Sequence, residues 1–91
     1  MELSKNDLIK FYELRKHQDD LSPNVGIVGS RKEFNLKVKE ILETTDHDLV
    51  HITNDGQQIS IFNGDIEVCY INIQSLDDLQ GKYFRKYMWL K

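Results

Sequence analysis

The sequence has little of several features that define whole classes of protein. Its single cysteine, Cys69, has no second cysteine with which to form an intramolecular disulfide or a Cys-x-x-Cys motif. Apolar runs are only a few residues long, and the acidic Glu2 stands where a secretory signal peptide would be basic. A membrane protein and a secreted disulfide scaffold are therefore not expected, and the sequence predicts a cytoplasmic protein.

Positive charge is also missing over a long interval. Residues 40 to 81 hold nine acidic residues and no lysine or arginine, in a chain of 91 residues whose net charge is only -3. The last ten residues, in contrast, hold four cations and no acid. Charge segregation of this kind bears on partners and association rates rather than on the fold.

What is present indicates one globular domain over residues 1-91, because 40% of the residues are hydrophobic and 30% are charged. Apolar periodicity predicts a first helix over about residues 5 to 18 and a second over about residues 31 to 44. Pro23 breaks the chain between them. A third helix is predicted after Ser75, which with Asp78 resembles a capping box.

Three runs rich in β-forming residues follow the second helix, at 49 to 53, 58 to 62 and 66 to 73. Turn sequences separate them, and a two-residue turn at Asn63 and Gly64 would place Ile61 opposite Ile66. We therefore expect an α+β fold in the order ααβββα, with a three-stranded antiparallel meander covered by helices on one face. The opposite face, which carries Phe62 and Glu67, is expected to be polar and anionic, and the sequence leaves open whether it is exposed to solvent.

The segment NVGIVGSRKEF, residues 24 to 34, contains the only candidate nucleotide loop. Ser30 and Glu33 fit the S-x-x-E capping box that begins a helix, which is the favoured interpretation. The stretch VGIVGSR resembles the first-strand loop of Rossmann-like nucleotide-binding families, which implies nucleotide binding at residues 26-31, from Gly26 to Arg31. It lacks both the G-x-G-x-x-G fingerprint and a GK[ST] ending.

Residues that could support catalysis are sparse. Asp46, His47, Asp48 and His51 lie close together in sequence, but without the spacing of a known metal motif, and are interpreted as a solvated turn. Cys69 shares a predicted sheet face with His51, yet a cysteine in mid-strand lacks the setting that lowers a thiol pKa. No catalytic residue, metal or cofactor is predicted, and the protein is not expected to be an enzyme.

The favoured hypothesis is a small protein-binding module that inhibits or regulates a basic, nucleic-acid-binding partner protein. Its acidic sheet and loops, residues 43-78, would dock on the partner, because carboxylates spaced along a sheet can stand in for phosphates. Small acidic proteins such as phage-encoded inhibitors of host nucleases and defence complexes are similar in size and charge layout. The predicted contact residues are Asp46, Asp48, Asp55, Asp65 and Glu67, with Phe62 and Trp89 as apolar anchors.

The alternative is direct nucleic-acid binding by the basic, aromatic C-terminal helix. A tryptophan beside cations suits base stacking, although packing against another part of the fold is the favoured interpretation of Trp89. The neighbouring acids would repel phosphates, which makes this alternative the weaker one. Its residues are Lys82, Arg85, Lys86 and Trp89. The sequence leaves open whether the protein forms a homodimer.

Overall fold

Five strands form one mixed β-sheet in the computed structural model, which describes residues 13 to 90. The elements are β1 (Asn24–Val28), α1 (Arg31–Thr44), β2 (Leu49–Thr53), β3 (Gln58–Asn63), β4 (Ile66–Ile73) and β5 (Lys86–Trp89). Short 3-10 turns occupy Asn54–Gly56 and Leu76–Leu79, and residues 13 to 16 are helical. Within the described part of the chain, no helix has the length and apolar composition needed to cross a membrane.

The strand order in the sheet is β2-β3-β4-β1-β5. β3 runs antiparallel to its two neighbours, β2 and β4, whereas β1 lies between β4 and β5 and is parallel to both. β2 and β5 are therefore the two edge strands. The carboxyl ends of β1, β4 and β5 lie at the same end of the sheet as the turn that joins β2 to β3.

The prediction of an α+β fold is confirmed, but the order ααβββα and the sheet of three strands are wrong. Residues 24 to 28, expected to lead into a helix, form the central strand β1, in which Val25, Ile27 and Val28 are buried. A short apolar run of this kind is what a parallel strand covered on both faces requires. Of the first predicted helix, residues 5 to 12 lie outside the described residues.

The predicted C-terminal helix is also wrong. Its capping box forms at Ser75 and Asp78, but the helical segment is the four-residue 3-10 turn Leu76–Leu79. Gly81 then takes a φ of 71°, outside the range of a right-handed helix. Residues 86 to 89 instead form a strand alongside β1, so pairing distant in sequence overrides the local helical spacing.

The hairpin between β3 and β4 turns at Gly64 and Asp65, where Gly64 has a φ of 62°. Ile61 consequently lies opposite Val68, and the predicted pairing of Ile61 with Ile66 is wrong by two residues. Because side chains alternate between faces with a period of two, this shift leaves every side chain of the hairpin strands on its predicted face.

Hydrophobic side chains pack on both faces of the sheet. On the helix face, which is the face that α1 covers, Phe34 and Val38 pack with Ile27, Ile59 and Ile61. On the far face, which is the opposite one, residues before β1 and after β4 cover the central strands, so the expectation of helices on one face only is incomplete. The buried residues of the far face are Leu14, Val28, Cys69, Ile71, Ile73, Leu79 and Phe84.

Candidate functional site: an acidic end of the sheet

Four of the predicted acidic contacts lie at one end of the sheet, where β2 begins and β3 turns into β4. We call this group the acidic end, and its members are Asp46, Asp48, Asp65 and Glu67. The Asp48 carboxylate accepts a hydrogen bond from the Gly64 amide at 2.7 Å. The Asp48 amide also donates to the Phe62 carbonyl at 2.7 Å. The loop before β2 is thereby tied to the turn between β3 and β4.

Apolar side chains lie beside these carboxylates. Phe62 is half-buried on the far face and lies opposite Glu67 on β4 and opposite Leu49 on β2. Side chains opposite each other on neighbouring strands are about 5 Å apart, so the three form a row across the sheet. Leu49 is 59% exposed. The acidic end therefore combines charge with an accessible apolar surface, as protein interfaces do.

The charges of the acidic end are not compensated by described cations. The salt bridges within residues 13 to 90 join Lys16 to Glu13 and Lys37 to Glu40, and neither includes a member of the acidic end. All four members are exposed. Several like charges at one end of a small protein create a negative potential that attracts cationic partners.

Asp55, the fifth predicted acidic contact, lies apart from the acidic end. It lies in the turn after β2, has a φ of 55°, and its carbonyl accepts a hydrogen bond from Arg31 Nη1 at 2.9 Å. β2 is five residues long, so about 17 Å of strand separate Asp55 from the start of β2. Asp55 and the acidic end flank β2 at its two ends.

Trp89 is also remote from the acidic end. It lies on β5 opposite Val28 and is 43% exposed. Three strand spacings separate β5 from β3, and they span about 14 Å. Phe62 and Trp89, the two predicted apolar anchors, therefore lie on separate parts of the sheet.

The predicted basic surface of the C-terminus is not formed as expected. Lys86 and Trp89 lie on a strand three residues apart, so they point to opposite faces. Arg85 precedes that strand, and its Nε donates to the Ser22 carbonyl at 3.1 Å. Lys82 lies in the preceding loop, where its carbonyl is 2.9 Å from His17 Nδ1. The four residues do not share a helix face.

Packing explains both glycines of the candidate nucleotide loop. Gly26 lies within β1, where an added Cβ would come within 2.5 Å of Ile73 Cδ1 and 2.7 Å of Tyr87 Cδ1. Gly29 has similar contact with Leu90, whose Cβ would lie 3.0 Å from an added Cβ. An added Cβ at Gly26 would force its neighbours to move, and one at Gly29 would make a tight contact, so packing accounts for both glycines without a ligand.

A carboxylate already occupies the start of α1. The capping box predicted from sequence is confirmed, because the Glu33 amide donates to Ser30 Oγ at 3.1 Å and the Ser30 amide donates to Glu33 Oε1 at 3.0 Å. A phosphate at this helix end would compete with the Glu33 side chain for the Ser30 amide. The residues of the loop therefore have structural roles.

Sequence reasoning missed a buried polar residue, Asn72. Its Nδ2 donates to the carbonyls of Ile27 and Gly29, at 3.3 and 3.0 Å, while its Oδ1 accepts from Arg31 Nε at 3.0 Å and Gln74 Nε2 at 2.9 Å. An asparagine between two isoleucines, in the last part of the run IEVCYINI, was the signal in the sequence. Through the Arg31 side chain, the network holds the first residue of α1 against β4.

Cys69 and His51 lie on the same face, as predicted, but apart. Ser60 lies opposite each of them, so two strand spacings, about 10 Å, separate the cysteine from the histidine. Burial raises the pKa of the Cys69 thiol, because the effect of burial is larger than the opposing effect of a hydrogen bond with Ser60. A protonated thiol without a base is a poor nucleophile. Among the described residues, no group of three His, Cys, Asp or Glu side chains is placed to hold a metal ion.

Comparison with known proteins adds no relative. No protein-family model, no curated protein and no solved structure matches the chain. The function is therefore inferred from the surface of the protein itself.

Proposed function

We propose that this protein is a small non-enzymatic binding module whose acidic end docks on a basic, nucleic-acid-binding partner protein and inhibits or regulates it. One observation carries the proposal. The members of the acidic end come together beside Phe62 and Leu49, and no described cation forms a salt bridge with them. A cytoplasmic location suits this role.

The partner's chemistry follows from this surface. Proteins that bind nucleic acid present lysine and arginine side chains to the phosphates, and carboxylates can meet the same cations. Complementary potentials also raise association rates, and the effect weakens with added salt. By covering cationic residues that would otherwise hold phosphates, the module would exclude nucleic acid from the partner. An anti-defence inhibitor of the phage type is the specific version of this proposal.

The experiment that tests the proposal is affinity capture. The full chain is immobilised, exposed to nuclease-treated lysate at low and high salt, and the bound proteins are identified by mass spectrometry. We expect a basic nucleic-acid-binding protein that is held at low salt and released at high salt. Recovery of nucleic acid from untreated lysate, with loss of all capture after nuclease treatment, would contradict the proposal.

Inhibition is tested separately with the captured partner. A labelled oligonucleotide is bound to the partner, the full chain is added, and fluorescence anisotropy follows release of the oligonucleotide. We expect displacement, because both molecules would use the same cations. A stable complex that contains the protein, the partner and the oligonucleotide would contradict inhibition by occupancy of the nucleic-acid site.

A further inference from the structure

One edge of the sheet is unpaired among residues 13 to 90. β2 is the outermost strand on its side, and no strand of the described chain pairs with its outer edge. Four of its five side chains are exposed, including Leu49 at 59% and Ile52 at 61%, and Val50 is half-buried. A strand in this position presents unpaired backbone N–H and C=O groups, which are a template for a further strand.

β2 also lacks the features that normally prevent such pairing. Protected edges carry lysine, proline, a bulge or inward-pointing charge, and the sequence LVHIT has no lysine, proline, glycine or acid. Its five residues pair with β3 at five consecutive positions. The other edge strand, β5, has four residues and begins with Lys86. Strand addition is therefore favoured at β2.

We infer that an extended segment of the basic partner adds to the outer edge of β2 as a sixth strand. This inference rests on the proposed function, which it deepens by naming the form of the partner's contact. The incoming segment has an apolar, β-branched centre, which covers Leu49 and Ile52, and lysine or arginine at both ends. Main-chain hydrogen bonds then supply affinity and the flanking charges supply specificity.

The charges at the two ends of β2 select this occupant. Asp46 and Asp48 precede the strand, and Asp55 follows it. Cations at both ends of an added segment would therefore meet carboxylates in either strand direction. The segment that we infer to bind at this edge is therefore cationic at both ends.

A second copy of the chain fits the same edge poorly. Antiparallel pairing centred on His51 would bring Asp55 of the second copy beside Asp48, at both ends of the pair. Parallel pairing in register would place Asp48 opposite Asp48 of the second copy. Like charges that face each other across strands are destabilising, so the edge is disfavoured for self-association.

The test uses synthetic peptides. The probe is the peptide KKVTVTVKK, and the two controls are the same peptide with its central valine replaced by proline and the same peptide with glutamate in place of every lysine. Binding to the full chain is followed by NMR at low salt, together with hydrogen exchange of the amides of residues 49 to 53. We expect saturable binding of the lysine peptide, slower exchange of these amides, and binding about tenfold or more weaker for each control peptide.

A matched pair of variants separates strand addition from charge. Ile52→Lys places a lysine on the edge strand, whereas Ile66→Lys adds the same charge on β4, where Ile66 is 67% exposed. Both sites are exposed enough for the variants to fold, which circular dichroism checks. We expect Ile52→Lys to weaken peptide binding about tenfold and Ile66→Lys to weaken it about twofold or less.

Four outcomes would overturn the inference. They are equal binding of the lysine peptide and its proline control, equal weakening by the two variants, no saturable binding of the lysine peptide, and a dimer of the free chain whose residues 49 to 53 are already protected. The first two would leave charge-driven docking, and so the proposed function, standing. Equal binding of the lysine and glutamate peptides would instead show that the surface does not select cations, and this result would contradict the proposed function as well.

Discussion

Asn72 joins three parts of the protein through one buried side chain. It is 0% exposed and bonds to β1, to the first residue of α1 and to the segment after β4. Its side-chain polar atoms have partners, as do all such buried atoms among residues 13 to 90. A residue of this kind fixes geometry, because removing it leaves other buried groups unsatisfied.

We predict that Asn72→Ala lowers the free energy of unfolding by about 3 kcal/mol, since it creates a cavity and removes the partners of two backbone carbonyls and of Arg31 Nε. Urea denaturation at neutral pH measures the loss. Asn35→Ala, on the exposed surface of α1, is the matched control and is expected to change stability by less than about 0.5 kcal/mol. Equal effects of the two substitutions would contradict the structural role of Asn72.

Tyr87 is a single residue that makes the stability of the fold depend on pH. Its hydroxyl donates to the Leu14 carbonyl at 2.7 Å, and burial raises the pKa of Tyr87 from its ordinary value near 10 to about 12. The folded protein therefore keeps the phenolic proton at pH values where the unfolded chain releases it. Stability from this group is complete below pH 10 and is lost as the pH rises to about 12.

We predict that Tyr87→Phe lowers the free energy of unfolding at pH 8 by about 1 kcal/mol, because the hydrogen bond to Leu14 is lost. This difference from the wild type should shrink between pH 10 and 12, since only the wild type loses stability through this phenol. Denaturation of both proteins at several pH values measures it, and ionisation of the other groups cancels in the comparison. A difference in unfolding free energy that stays constant from pH 8 to pH 12 would contradict the raised pKa of Tyr87.

At the scale of elements, local signals explain what the sequence could predict. α1 was expected at about residues 31 to 44 and spans Arg31–Thr44, because a capping box and an apolar period of 3.6 act within the element. β2, β3 and β4 lie in the predicted runs because turn residues separate them. These elements depend on contacts between residues close in sequence, so residue type and spacing are enough to predict them.

β1 and β5 could not be identified in the same way. β1 pairs with β4, about 45 residues later in the chain, and with β5, about 60 residues later. Parallel pairs have no connecting hairpin, so no local turn signal marks them. In the case of β1, glycine and serine suggested a nucleotide loop, whereas Gly26 is needed for packing.

We predict that Gly26→Ala lowers the free energy of unfolding by about 2 kcal/mol, because the new methyl group forces Ile73 and Tyr87 to move within a packed core. Gly29→Ala is expected to cost less, since its closest new contact, with Leu90, is 3.0 Å rather than 2.5 Å. Thermal and urea denaturation measure both variants. An unchanged stability of Gly26→Ala would remove the packing explanation for this glycine.

At the scale of the whole molecule, the sequence predicted which residues carry charge but not how the fold would distribute them. The cation-free interval extends over residues 40 to 81, and the fold divides its acids between the two ends of the sheet. Four of the five predicted acidic contacts lie at the acidic end, and Asp55 falls at the other end of β2. The direction in which β2 and β3 run decides this division, and strand topology lies beyond what charge counting can provide.

The proposed function requires that position, and not net charge alone, makes the acidic end a binding surface. Its most direct test compares two double variants of equal net charge in binding to the captured partner. Asp65→Lys with Glu67→Lys reverses the acidic end, whereas Asp20→Lys with Asp77→Lys reverses two exposed acids elsewhere. Circular dichroism confirms that both variants are folded before binding is measured.

The measurement is the association rate constant at low and high salt. We predict that reversal at Asp65 and Glu67 lowers the rate constant at low salt by about tenfold or more, that the control pair lowers it much less, and that the three proteins converge at high salt. Equal losses for the two pairs would show that net charge alone drives association. Binding that is unchanged by reversal at Asp65 and Glu67 would contradict the placement of the surface.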